Sequence, residues 1–125
     1  MSKITALDHV QLSLPKDAEP EARKYFGTLL GLTEIEKPPN LAKRGGLWFS
    51  LPDGRELHLG TEEPFSPNTK AHPAFATNDL DGLAAELSDA GYPIEWDEEL
   101  APLRRFYSED VFGNRIEYRA TETGA

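Results

Sequence analysis

The sequence contains no cysteine and no long apolar run. Without cysteine, the chain has neither a disulfide framework nor a thiolate nucleophile. No stretch reaches the length of about 18 apolar residues that a membrane span needs, so no membrane partner is expected. The segment from Met1 to His9 lacks an apolar secretion signal. Together these absences favour a cytoplasmic protein.

Basic residues are scarce as well, since 13 Lys and Arg face 22 Asp and Glu and leave a net charge of −9. Much of the acid lies in Glu62–Glu63 and in the stretch from Glu95 to Glu99. A protein that binds nucleic acid needs a basic face to displace counterions from phosphates. The charge balance therefore argues against a nucleic-acid partner, and the acidic stretches are interpreted as solvated surface.

The length of 125 residues is typical of a single globular domain with its own core, so one domain is expected over residues 1–125. Within it, two stretches share one frame. Residues 106–119 read FYSEDVFGNRIEYR, and residues 51–60 read LPDGRELHLG. Each runs through a Gly turn into a short alternating strand. Glu117 lies four residues after Gly113, and His58 lies four residues after Gly54, so the frame places a metal-competent side chain at the same point twice.

The whole pattern of predicted elements repeats, because residues 4–62 and 70–120 each have the order β-α-β-β-β. Residues 62–70 are expected to connect the two modules, and residues 121–125 are expected to form a frayed tail. In the first module, strands are predicted over 7–14, 32–36, 47–51 and 55–60, with a helix from Pro20 to Gly31. In the second, strands are predicted over 71–77, 92–96, 105–109 and 115–119, with a helix that Asn78 or Asp79 caps and that ends at Gly91.

All three histidines and one glutamate occupy matched positions in this repeat. His9 and His72 come early in the first strand of their modules, and His58 and Glu117 lie in the last. Each is predicted on the sheet face opposite the helix. A lone strand histidine is more often a packed or surface residue, but a pseudo-twofold pairing of the modules would bring these four together. Imidazole and carboxylate ligands suit Zn, Fe, Ni, Co or Mn better than Mg or Ca.

Four segments carry a family resemblance: LDHVQL near the start, YFGTLLGL in the first helix, AHPAFATNDLD in the middle and DVFGNRIEY near the end. On these segments the chain resembles the vicinal oxygen chelate superfamily, which includes glyoxalase I, fosfomycin and bleomycin resistance proteins and extradiol dioxygenases. The resemblance implies an α+β fold of two βαβββ modules that form a cupped mixed sheet, usually in a homodimer. It places His9, His72 and Glu117 at metal-ligand positions. His58 stands where glyoxalase I has a glutamate, and Val111 stands where proline is common.

The resemblance implies chemistry on a small-molecule substrate chelated by a divalent metal ion. In a glyoxalase-like lyase or isomerase, Glu117 would be the catalytic base and an oxyanion or enediolate would be stabilised. Two alternatives remain: a non-heme Fe(II) extradiol-type dioxygenase, and a metal-free protein that sequesters a drug as bleomycin resistance proteins do. Side chains that could bind the substrate are Arg44, Arg104, Arg105 and Tyr107, although solvated loop cations are an equally good interpretation of the arginines.

Overall fold

The computed structural model describes residues 1–121 and shows the predicted α+β fold as two four-stranded mixed sheets. The chain divides into two units, Met1–Ser66 and Pro67–Ala125. Each unit has the predicted order β-α-β-β-β. Of the tail predicted over residues 121–125, all but Thr121 lies outside the described residues.

The first unit forms a sheet in which strand β1, His9–Leu14, pairs in parallel with the last strand. Helix α1 begins as an α-helix over Glu19–Ala22 and continues as a π-helix over Arg23–Leu29. A single 3₁₀ turn, Ala42–Arg44, precedes β3 and was not expected from the sequence. The sheet order is β1-β4-β3-β2, where the other strands are β2 Thr33–Ile35, β3 Leu47–Ser50 and β4 Glu56–Thr61.

The π-helical part of α1 departs from the regular helix that the sequence predicts. Its wider turn is seen where the Leu30 N–H donates to the Tyr25 carbonyl, five residues back, at 3.0 Å. Successive side chains in a wider turn are separated by a smaller angle. Tyr25 and Phe26 are therefore both buried, at 1% and 0% exposure, although they are adjacent in the chain. Phe26 packs on Phe49 of β3, with ring centroids 5.9 Å apart.

The second unit begins its sheet with β5, Ala74–Thr77, so His72 precedes the strand in which it was predicted. Helix α2, Leu80–Asp89, is capped by Asp79, whose side chain accepts from the Gly82 N–H at 3.1 Å. Neither this helix nor α1 is long and apolar enough to cross a membrane. The sheet order is β5-β8-β7-β6, where the other strands are β6 Glu95–Asp97, β7 Arg105–Glu109 and β8 Arg115–Ala120.

Each sheet has one face covered by its helix and one face, called here the open face, that carries the polar residues. Alternation along the strands produces this division. In β8, Ile116 and Tyr118 are buried on the helix side, and Glu117 lies on the open face between Arg115 and Arg119. The helix-side residues of the first unit include Leu12, Leu14, Leu47, Phe49, Leu57 and Leu59.

The strand registers confirm the equivalence of the two repeats. In the first unit, His58 of β4 lies between Gln11 of β1 and Trp48 of β3. In the second, Glu117 of β8 lies between Ala74 of β5 and Tyr107 of β7. His9 lies two residues before Gln11, and His72 lies two residues before Ala74. The two repeats therefore place His9 and His72 at one equivalent position, and His58 and Glu117 at another.

Candidate metal centre

In the second unit, His72 and Glu117 are in direct contact. The Nδ1 atom of His72 lies 2.8 Å from the Lys70 carbonyl oxygen, which can only accept, so Nδ1 carries the hydrogen. The Nε2 atom lies 3.0 Å from Glu117 Oε1. A neutral imidazole with its hydrogen on Nδ1 has a lone pair on Nε2, and a carboxylate oxygen is also an acceptor. Two facing acceptors require a proton or a cation between them.

Glu117 is almost fully buried, with 5% exposure, and its second oxygen is surrounded by cations. Arg105 Nη1 lies 3.1 Å and Arg119 Nε lies 3.2 Å from Glu117 Oε2. Burial alone would raise the pKa of the Glu117 carboxyl. The hydrogen bonds from His72 and Arg105 and the charges of both arginines outweigh burial and hold its pKa below the ordinary value. Glu117 is therefore an anion at neutral pH.

Tyr107 lies beside this pair on the open face. Its ring meets the His72 ring edge-on, with centroids 5.4 Å apart and planes at 84°. The guanidinium of Arg115 lies over the Tyr107 ring at 4.1 Å. Tyr107 also lines a cavity of about 170 Å³ together with Glu95, Ser108 and Arg115. The structure thus places this predicted substrate-binding side chain next to His72.

In the first unit, the rings of His9 and His58 are stacked. Their centroids are 4.1 Å apart and their planes differ by 19°. His9 Nδ1 contacts Asp8 Oδ1 at 2.9 Å, and His58 Nε2 contacts Glu56 Oε1 at 2.8 Å. Ring-nitrogen lone pairs lie in the plane of the ring, so two nearly parallel stacked rings do not aim at one point. One ring must turn before both can bind the same ion.

All three histidines share one feature that suits metal ligation. Each has one ring nitrogen directed at a carboxylate or carbonyl oxygen, namely Nδ1 of His9, Nε2 of His58 and Nδ1 of His72. Metal-binding histidines almost always donate their other N–H to such an acceptor, which fixes the tautomer. Within residues 1–121, however, no group of three or more His, Asp or Glu side chains is arranged to hold an ion. The predicted ligands are paired within each unit, two and two.

The three predicted arginines lie in different surroundings. Arg44 ends the 3₁₀ turn and is exposed. Arg104 makes two hydrogen bonds to Asp81, at 2.8 and 2.9 Å, and covers the ring of Trp96. Within the described chain, Arg105 is the one of the three that contacts a predicted metal ligand.

Three carboxylates of these clusters, Asp8, Glu56 and Asp97, were not identified from the sequence. Glu56 lies two residues before His58 in one strand, and this spacing alone places both side chains on one face. That signal was available in the sequence. Asp97 lies opposite Arg105 only because β6 pairs with β7 in the observed register, and no local pattern in the sequence specifies that pairing.

No protein-family model matches the sequence, and the comparison with curated proteins gives no match. Among solved structures, a protein from Bacillus anthracis described as belonging to the glyoxalase family is 40% identical, with a TM-score of 0.91 over 98% of this chain and 99% of that one. A glyoxalase/dioxygenase from Nostoc punctiforme is 26% identical, with a TM-score of 0.75 over 96% and 97%. A fosfomycin resistance protein from Listeria monocytogenes is 16% identical, with a TM-score of 0.73 over 96% of both chains, which shows the fold alone.

Proposed function

This chain belongs to the vicinal oxygen chelate superfamily of glyoxalases, bleomycin resistance proteins and dioxygenases, and we propose that it is a metal-dependent enzyme acting on a small molecule. The observation that carries the proposal is the contact between His72 Nε2 and Glu117 Oε1 at 3.0 Å, with His72 Nδ1 already bonded to Lys70. This arrangement presents one nitrogen and one oxygen lone pair to the same point. A divalent cation satisfies both, in place of the proton that otherwise lies between them.

The proposed ligands are two side chains from each unit: His9 and His58, and His72 and Glu117. Their donor atoms suit Zn, Fe, Ni, Co or Mn. In each histidine one ring nitrogen contacts an acceptor oxygen, as is usual for metal-binding histidines. A divalent ion bound by them would act as a Lewis acid and stabilise negative charge on a chelated substrate oxygen. The proposed reaction is of the glyoxalase-like lyase or isomerase type.

The role of Glu117 in this reaction follows from its charge and from its contacts with two arginines. Glu117 stays ionised, Arg105 donates a hydrogen bond to its Oε2 atom, and the Arg119 cation lies 3.2 Å from the same atom. Oε1 is therefore the atom that would bind the cation or accept a proton from a carbon next to a carbonyl. The lowered pKa of Glu117 makes it a weaker base than an ordinary carboxylate. We place it first as a ligand and second as the proton acceptor.

A second candidate function is metal-free sequestration of a small molecule. The observation that favours it is that the predicted ligands contact one another directly. Within residues 1–121, His9 stacks on His58, and His72 contacts Glu117. A binding protein would use these pairs as polar and aromatic surface. Its ligand affinity would be independent of added metal.

Metal content separates these functions. Protein purified without a histidine tag would be assayed for bound metal by mass spectrometry, before and after reconstitution with each of the five ions. Near-stoichiometric metal is expected in the wild type, with a large loss in His72→Ala and Glu117→Gln. Arg104→Met is the control, because Arg104 pairs with Asp81 on the helix side. Absence of metal in the reconstituted wild type would instead support sequestration.

The identity of the metal directs the activity assay. Nickel, cobalt, zinc or manganese would be followed by a screen of α-ketoaldehydes for isomerisation, which the proposal expects to succeed. Native iron together with oxygen uptake on catechols would contradict the lyase assignment and favour an extradiol-type dioxygenase.

A further inference from the structure

Arg105 lies between two carboxylates on the open face of the second sheet. Its Nε donates to Asp97 Oδ2 at 2.6 Å, and its Nη1 donates to Glu117 Oε2 at 3.1 Å. A second contact joins its Nη2 to the same Asp97 oxygen. The Arg105 side chain is only 14% exposed. Its donors are therefore directed at protein carboxylates.

The backbone register fixes this arrangement. Asp97 of β6 pairs with Arg105 of β7, and Arg105 pairs with Arg119 of β8. The guanidinium carbon of Arg105 lies over the Tyr107 ring, 5.2 Å from the ring centroid. A planar guanidinium held by two contacts to Asp97 has little freedom to rotate. Its remaining nitrogen, Nη1, donates to Glu117, so Asp97 sets the direction from which the guanidinium contacts Glu117.

The fold itself does not require arginine at these positions. The pair Trp48–His58 in the first unit matches the pair Tyr107–Glu117 in the second. Two residues further along the same strand pairs, Gly46 corresponds to Arg105 and Gly60 corresponds to Arg119. The first unit forms the same four-stranded sheet with glycine at both positions. The arginines are thus particular to the unit in which the equivalent of His58 is a carboxylate.

We propose that Arg105 is a positioning residue that holds Glu117 in one rotamer and so strengthens binding of the cation by Glu117 and His72. It does this by occupying Oε2, which leaves Oε1 facing His72 Nε2 at 3.0 Å. Arg119 Nε also lies 3.2 Å from Oε2, but it makes no hydrogen bond there. Without the hydrogen bond from Arg105 the carboxylate can therefore turn about its side-chain bonds, and this lost order must be restored on binding. The inference rests on the proposed metal-binding function.

Two effects of removing Arg105 have opposite signs, which makes the proposal testable. Arg105 is a cation near a proposed cation site, so by charge alone its loss should strengthen metal binding. Loss of positioning should weaken it, and removal of partners that orient metal ligands typically weakens binding by about 10-fold to 100-fold. We expect the second effect to dominate.

The experiment is a titration of chelator-stripped, tag-free protein with Co²⁺, followed by its visible absorption and by calorimetry. Arg105→Met should bind Co²⁺ about tenfold or more weakly than the wild type, with a changed absorption spectrum. Arg105→Lys keeps the charge but loses the planar fork, so it should recover only part of the affinity. Arg104→Met removes the same charge from the neighbouring residue and should bind like the wild type.

The outcomes separate the two levels of the proposal. If the wild type binds no Co²⁺, the proposed metal site is wrong. If the wild type binds and Arg105→Met binds equally well or more tightly, the positioning role is wrong, and Arg105 acts only as a counter-ion or on the substrate. Should circular dichroism show Arg105→Met to be unfolded, Arg105→Lys decides, since wild-type affinity there overturns the proposal.

Discussion

The imidazole of His58 lies flat on the indole of Trp48, with ring centroids 3.9 Å apart and planes only 3° apart. His9 covers the opposite face of the same imidazole, and Glu56 contacts its Nε2 atom. These three neighbours leave His58 with 6% exposure. Its ring orientation is therefore fixed, and Nδ1 is the nitrogen left to act as a ligand.

Trp48→Ala tests whether this stack prepares His58 for metal binding. Removal of the indole should lower the free energy of unfolding by about 2 kcal/mol, because Trp48 is half-buried and contributes an aromatic stack. It should also weaken metal binding, because the His58 ring is no longer held. Urea unfolding of metal-free protein and calorimetric titration with metal measure the two effects separately.

Trp96→Ala is the matched control for the stack. Trp96 is 45% exposed in the second unit and packs under Arg104, away from the predicted ligands. Its loss should lower stability without changing metal affinity. Equal metal affinities of the two tryptophan variants would show that the stack does not serve the metal site.

The lowered pKa of Glu117 predicts how stability depends on pH. A carboxyl whose pKa is lower in the folded protein than its ordinary value of 4.5 stabilises the fold above that value. This stabilisation is lost as the pH falls below 4.5 and through the folded pKa. Glu117→Gln cannot lose it, so in chelator-treated protein the stability difference between wild type and variant should shrink from about pH 6 towards pH 3. Urea unfolding across this range measures it, and parallel pH profiles would contradict it.

Gly46 is predicted to tolerate no side chain. Its φ is +79°, and an added Cβ would lie 2.0 Å from the Leu59 carbonyl oxygen. Gly46→Ala should therefore lower the free energy of unfolding by about 3 kcal/mol or more. Gly54 has a φ of +90° with nothing within 4 Å, so Gly54→Ala should cost only about 1 kcal/mol. Chemical denaturation of both variants measures the two losses of stability. Only Gly46→Ala adds a steric clash to the strain of a positive φ, so equal losses would contradict the clash with Leu59.

Metal removal should destabilise the protein if the proposed ligands bind in the folded state only. At a free metal concentration of about 100 times Kd, linkage predicts about 2.7 kcal/mol of added stability. The gain should be absent in His72→Ala and retained in Arg104→Met. Denaturant unfolding with metal and with chelator tests this, and an equal gain in His72→Ala would place the ion elsewhere.

Local patterns in the sequence were enough to predict the β-α-β-β-β order of each unit and the face on which Glu117 lies. Strand alternation is a property of the backbone, so Glu117 was predicted on the face opposite the helix without any tertiary information. Ile116 and Tyr118, on the other face of the same strand, are buried in the structure. The equal spacing of His58 and Glu117 from their turn glycines predicted the repeat that the registers confirm. Metal ligation itself stays a prediction.

The details of the site depend on contacts between distant residues. His72 and Glu117 are 45 residues apart, and their contact requires β5 to pair in parallel with β8. The π-helical turn of α1, which lets the adjacent rings of Tyr25 and Phe26 both be buried, is not specified by helix periodicity in the sequence.

The sequence by itself determined which residue types face away from each helix, because backbone geometry fixes that alternation. Only the tertiary structure decided that Arg105 contacts Asp97 and Glu117 while Arg104 contacts Asp81. Adjacent residues in a strand point to opposite faces, and the partner that each meets is set by strand register. Register depends on packing over the whole sheet, which no short segment contains.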